Sequence, residues 1–117
     1  MIVFDQLGKK GRMGNAMFQV ASTIGIAKKL NTGFGFNECL MLSCFEGNIP
    51  VCKREGRVWD EYPDMNYRQD VYENGTSLTL DGYFQSQKYF NEAEREVRTI
   101  FKFRKSVSDF IDKKYQL

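Results

Sequence analysis

The chain has no histidine among its 117 residues. That absence removes the side chain that most readily serves as a general base near neutral pH. It also excludes Ser-His and Cys-His nucleophile systems and histidine metal sites. Chemistry here falls to carboxylates, lysine, arginine, tyrosine or backbone groups. Cysteine is scarce, with only Cys39, Cys44 and Cys52. Their number is odd and their spacing fits no zinc pattern, so reduced, partly buried thiols are expected. A disulfide between two of them would require an oxidising compartment. No apolar run approaches the roughly 20 residues of a membrane-spanning helix. The start, Met-Ile-Val-Phe-Asp, lacks the basic and apolar regions of a secretion signal. A soluble, cytoplasmic chain without a membrane span is therefore expected, and Asn74-Gly75-Thr76 reads as a turn rather than a glycosylation site. A strong excess of charge of one sign is missing too. Seventeen basic residues face fifteen acidic ones, a net +2, which gives no reason to expect nucleic-acid binding.

Apolar residues are sufficient, at 42% with 15% aromatic, to build the core of one α/β domain over residues 1–117. Met1 to Phe4 reads as a buried parallel strand. A glycine-rich loop leads on to Asn15. Met17, Val20, Ala21, Ile24 and Ala27 then recur at helical spacing. Asn15 suits the N-cap, Lys28 and Lys29 suit the last turn, and Asn31-Thr32-Gly33 supplies a stop. Phe34 to Asn37 reads as the next strand, completing a βαβ unit. Cys39 to Phe45 is a short helix or a loop. Ile49-Pro50-Val51 is extended. Trp59 to Arg68 reads as an irregular aromatic loop. Ser77 to Leu80 is a strand ended by Asp81-Gly82. Asn91 with Glu94 forms a capping box for a helix whose apolar side is Val97, Ile100 and Phe101. Ser106 or Ser108 opens a last helix. There are no internal repeats and no linker-like stretch.

The loop before the helix carries Gly8, Gly11 and Gly14, with Lys9, Lys10 and Arg12 among them. Glycines let backbone amides approach an anion, and a helix N-terminus adds free N–H groups. Gly14 is not followed by Lys-Ser or Lys-Thr, so this is not a Walker A loop. Lys10 breaks the glycine spacing of the dinucleotide fingerprint. The residues alone leave two readings: a ligand-free turn, or an anion site.

The run Gly11-Arg12-Met13-Gly14-Asn15-Ala16-Met17-Phe18-Gln19-Val20-Ala21 resembles the N-terminal motif of the alpha-1,2-fucosyltransferases of glycosyltransferase family 11, Gly-(Gly or Arg)-Leu-Gly-Asn-Gln-Met-Phe-Gln-Tyr-Ala. The segment Leu80-Asp81-Gly82-Tyr83-Phe84-Gln85-Ser86-Gln87-Lys88-Tyr89-Phe90 is similar to a second motif of that family, Gly-Tyr-(Phe or Trp)-Gln-Ser-Glu-Lys-Tyr-Phe. Val97-Arg98 and Phe101-Lys102-Phe103 resemble the family's residues just beyond this second motif. The departures are Ala16 for Gln, Val20 for Tyr, Gln87 for Glu, and a loop lengthened by Lys9-Lys10. The family's next motif, His-x-Arg-Arg-x-Asp-Tyr, whose arginine holds the donor diphosphate, has no counterpart here. The resemblance covers nearly all of this chain and the front portion of a family enzyme, as in a truncated or split relative or a fragment.

The resemblance implies an α/β fold with a mainly parallel sheet, the three-layer Rossmann-like half of a GT-B-type glycosyltransferase. It implies fucosyl transfer from GDP-fucose to a galactose-containing acceptor once the other half is present, with no metal and no separate cofactor. The donor- or acceptor-binding residues it marks are Arg12, Gly14, Asn15, Gln85 and Ser86; no catalytic residue is assigned. The chain alone is expected to be inactive, and a homo-oligomer or a complementary C-terminal domain would cover its open face. Tyr83, Phe84, Tyr89 and Phe90 can stack on sugars, though core packing is the stronger reading. Asp60, Glu61 and Asp64 read as a solvated acidic loop rather than a general base. Two other functions fit the same residues: a non-catalytic sugar- or protein-binding domain of this fold, and an unrelated phosphate-binding module.

Overall fold

Four strands form one all-parallel sheet in the computed structural model, which describes residues 1–9, 13–39, 49–62 and 66–101. They are β1 (Ile2–Phe4), β2 (Phe34–Phe36), β3 (Arg57–Asp60) and β4 (Leu78–Asp81), in the order β2-β1-β4-β3. The two central strands, β1 and β4, pair from Ile2–Leu78 to Phe4–Leu80. Both are covered on both faces; β1 is accordingly a continuous apolar run, whereas β4 alternates and its Thr79 hydroxyl is satisfied on the second face. The fold is α/β with a parallel sheet, as the sequence predicts.

Helix α1 (Met13–Lys29) lies on one face of this sheet. Its Ala16, Val20, Ile24 and Ala27, at spacings of four, four and three, share a core with Ile2, Phe4, Phe36, Leu78 and Leu80. The helix ends where expected. Asn31 takes a left-handed φ of 55°, and the Thr32 N–H returns to the Ala27 carbonyl at 2.9 Å. Lys28 at the last turn reaches Glu96 at 2.7 Å. Helix α2 (Glu94–Ile100) and the 3-10 turns at Gln69–Glu73, Gln87–Tyr89 and Asn91–Ala93 all contact α1.

The second face, carrying Val3, Gly35 and Thr79, is crossed by the extended segment Cys52–Glu55. Cys52 lies against Gly35, where a β-carbon would collide with its side chain. Arg54 Nε donates to Asp5 Oδ2 at 3.0 Å. The Glu55 N–H donates to Thr79 Oγ1 at 2.9 Å, and that hydroxyl donates back to the Glu55 carbonyl at 2.7 Å. Among the described residues this strap, not a helix, covers that face.

Several local expectations shift. Asn15 is not the N-cap; α1 already begins at Met13, so Asn15 sits in its first turn. Trp59 and Asp60 do not open the aromatic loop but close an edge strand, Arg57–Asp60, because parallel pairing with β4 fixes it; Trp59 alone of its four residues is buried. Asn91 does not cap α2. It falls in a 3-10 turn, and the cap position is Ala93. Ile49-Pro50-Val51 is extended as predicted, and Val51 makes a parallel bridge to Phe36. The helix expected from Ser106 or Ser108, most of the 39–45 segment, and Cys44 lie outside the described residues, within which Cys39 and Cys52 are free thiols. No helix among the described residues is long and apolar enough to cross a membrane.

Candidate functional site at the carboxyl edge of the central strands

In open parallel sheets the carboxyl ends of the strands are where ligands bind. Here the chain leaves β1 through Asp5–Lys9 toward the start of α1. Gly8 adopts a φ of 79°, which only glycine takes freely. Asn37, just past β2, clamps the loop: the Leu7 N–H donates to its Oδ1 at 2.7 Å, and its Nδ2 donates to the Leu7 carbonyl at 3.0 Å. The loop therefore joins a strand's carboxyl end to a helix N-terminus, the placement a ligand loop requires. Gly11 and Arg12 lie outside the described residues; Gly14 is the second residue of α1.

The segment leaving β4 is fastened along one stripe of α1. Gln85 Nε2 donates to Asn15 Oδ1 at 2.7 Å. Gln19 Nε2 donates to the Gly82 carbonyl at 3.1 Å, and Ser22 Oγ to the Phe84 carbonyl at 2.7 Å. Gly25 then lies directly against the Tyr89 backbone. Asn15, Gln19, Ser22 and Gly25 are spaced four, three and three, so they share one helix face. Phe84 holds a left-handed φ of 52°, unusual for a bulky residue. Its N–H donates to Glu61 Oε1 at 3.0 Å, and its ring packs edge-on to Phe4 at 6.3 Å. The two segments that carry the family resemblance thus form one structural unit.

Beside this unit opens a cleft of about 480 Å³ lined by Asn66, Tyr67, Gln85, Ser86 and Lys88. Ser86 also caps its own 3-10 turn, accepting the Lys88 N–H at 3.3 Å. Tyr67 packs on Tyr89 with ring centroids 4.8 Å apart. Tyr89 is buried, and its hydroxyl accepts the Arg68 N–H at 3.0 Å. Burial above all, with the nearby Glu61 carboxylate, pushes the Tyr89 hydroxyl well above its ordinary pKa, while the Arg68 N–H pulls the other way. Tyr89 therefore keeps its proton. Arg68 is fixed by Asp70 at 2.7 Å and by the Asp60 carbonyl at 2.9 Å, and lies 4.6 Å from the centre of the Trp59 ring.

The structure brings together Asn15, Gln85 and, next in the chain, Ser86; it says nothing of Arg12. Of the acidic trio, Asp60 is exposed and accepts the Tyr62 N–H at 2.8 Å. Glu61 is corrected. It is fully buried, not part of a solvated acidic loop, because it anchors the turn after β4. Asp64 lies outside the described residues. Phe84 and Tyr89 are core aromatics. Sequence reasoning misses Gln19, Ser22, Asn66, Tyr67 and Lys88. For the first two a signal exists, since polar residues recur at helical spacing from Asn15 on a helix that is otherwise apolar on its inner side. Among the described residues no group of acidic or cysteine side chains is placed to hold a metal ion.

The Asn15–Gln85 contact is partly solvated, so its net worth is modest. A double-mutant cycle with Asn15→Ala and Gln85→Ala, read by chemical denaturation, is expected to give a coupling of about 0.5–1 kcal/mol. A coupling near zero would show that the two amides do not hold each other in solution. Compared with known proteins, the chain matches no family model, no curated protein and no solved structure.

Proposed function

We propose that this chain is the N-terminal half of an inverting sugar-transfer enzyme of the alpha-1,2-fucosyltransferase type, a Rossmann-like half of a GT-B architecture. The observation that carries this reading is the 2.7 Å hydrogen bond between Asn15 and Gln85, residues 70 apart in sequence. It joins the two resembling segments at the carboxyl edge of the two central parallel strands. Each amide spends one group on the other. Among the described residues Asn15 Nδ2 has no acceptor and Gln85 Oε1 no donor, a combination that matches a sugar hydroxyl. Ser86 adds a hydroxyl beside them. Arg12 and the Gly14 amide at the start of α1 are assigned to the donor diphosphate.

In the complete enzyme, fucose would pass from GDP-fucose to a galactoside hydroxyl with inversion. The chain's part is orientation of the reacting groups and partial stabilisation of the departing diphosphate. The sequence has no histidine and no adjacent arginine pair, so further diphosphate contacts are assigned to a complementary C-terminal domain. Losing one electrostatic contact of that kind costs about a hundredfold in rate or more. The purified chain is therefore expected to give no product from GDP-fucose and a galactoside. Adding a family C-terminal domain should restore GDP-fucose binding, and Asn15→Ala should weaken it. Turnover by the chain alone would refute the division of labour. Binding in the reconstituted pair that ignores Asn15→Ala would refute the site.

A further inference from the structure

We infer that the cleft beside the Asn15–Gln85 pair is a subsite for an acidic saccharide, with the sugar ring against Tyr67 and its carboxylate on Lys88. This deepens the sugar-handling reading above and rests on it. At about 480 Å³ the cleft is within the range of small-ligand sites. Its lining holds two carboxamides, Asn66 and Gln85, one hydroxyl, Ser86, one aromatic face, Tyr67, and one ammonium, Lys88. Carboxamides and hydroxyls both donate and accept, as sugar hydroxyls require.

The charge of the cleft is unbalanced. Among the described residues no acidic side chain lines it. Lys88, like Lys29, Lys53 and Arg95, has no carboxylate partner among the described residues, and unlike them it lines the cleft. Its ammonium stands 5.8 Å from the centre of the Tyr67 ring. That ring is held in place before any ligand arrives. It packs on buried Tyr89, with ring centroids 4.8 Å apart. An aromatic face with a single exposed cation near it suits a ring bearing one negative charge. A phosphate would favour a guanidinium fork or a cluster of backbone N–H groups. The nearby fork, Arg68, is already occupied by Asp70.

The test is titration of the full chain, followed by protein NMR, with methyl galacturonide, methyl galactoside and galactose 6-phosphate. The acidic sugar is expected to bind about tenfold more tightly than the neutral one, the usual worth of one charge-assisted hydrogen bond. Added salt should erode that preference. Lys88→Met should abolish it while leaving neutral-sugar binding, and Lys88→Arg should keep it. Tyr67→Ala should weaken both sugars. Equal binding of acidic and neutral sugars would overturn the inference and leave the sugar reading standing. Preference for the phosphate ester would overturn it in favour of a phosphate subsite. If no sugar shifts the cleft residues while Asn15-dependent GDP-fucose binding persists in the reconstituted pair, the cleft is not a saccharide subsite. If that binding also fails, both readings fall.

Discussion

Replacing Gly25 with alanine is expected to destabilise the protein by about 3 kcal/mol, lowering its melting temperature by roughly 15 °C. On an isolated helix the same change would help, since alanine is about 1 kcal/mol better than glycine there. Packing reverses the sign. A β-carbon at Gly25 would fall 2.6 Å from Phe90 Cα and 2.8 Å from the Tyr89 carbonyl carbon, and closer still to the Tyr89 oxygen. All three are backbone atoms, so no side chain can rotate away. The helix and the 87–93 turns would have to separate. The separation would also strain the Ser22 bond to the Phe84 carbonyl and the Gln19 bond to the Gly82 carbonyl. Gly33→Ala is the control, because its nearest neighbour would be Met1 Cε at 3.7 Å, an ordinary contact. Thermal and urea unfolding of the two variants checks the prediction. Equal, small effects would mean that the segment after β4 does not pack on α1 as closely as described.

Gly25 also shows where sequence reasoning stops. The βαβ unit is legible because its signals are local: an apolar run, a helical period, two lysines and an Asn-Thr-Gly stop. The strand at Ser77–Leu80 is legible for the same reason. What makes Gly25 matter is the Tyr89 backbone, more than sixty residues away, and no local pattern reports that. β3 escapes a sequence reading because it is an edge strand with one buried residue, Trp59, so neither alternation nor an apolar run marks it. The residue type of Asn15 favours the helix cap. The structure gives its side chain to Gln85 instead, a tertiary contact overriding a local preference.

The site is legible in part. Asn15, Gln85 and Ser86 are marked by resemblance, and the structure places them at one edge. Glu61 is misleading in sequence because a glutamate next to Asp60 in a polar stretch is usually solvated. Its burial follows from Gly82 and Phe84, two residues with positive φ that turn the chain back over it. A β-carbon on Gly82 would come within 2.7 Å of Glu61 Cβ, so the turn and the glutamate are fitted to each other.

That fit leads to the second large effect. Glu61→Leu is expected to cost about 3 kcal/mol, whereas Glu61→Gln should stay within about 1 kcal/mol of the parent. Glu61 is fully buried, and its Oε1 accepts the Phe84 N–H at 3.0 Å. Leucine fills similar space but cannot accept a hydrogen bond. It would leave a buried backbone N–H unpaired, a penalty of about 1–3 kcal/mol. It would also release Phe84, whose left-handed conformation itself costs of order 1 kcal/mol and persists only while its neighbours hold it. Glutamine keeps an acceptor in the same place. Its amide would take the place of Oε2, which has no hydrogen-bond partner among the described residues, and the small remaining cost of about 1 kcal/mol comes from there. Because Gln85 comes directly after Phe84, Glu61→Leu should also move the Gln85 side-chain amide resonances, and Glu61→Gln should leave them near their parent positions. Urea denaturation and amide NMR of both variants separate the outcomes. If Glu61→Gln proves as damaging as Glu61→Leu, the negative charge itself, acting through the neighbouring Tyr89 hydroxyl, is what holds this edge of the sheet, and the acceptor role assigned to Oε1 is wrong.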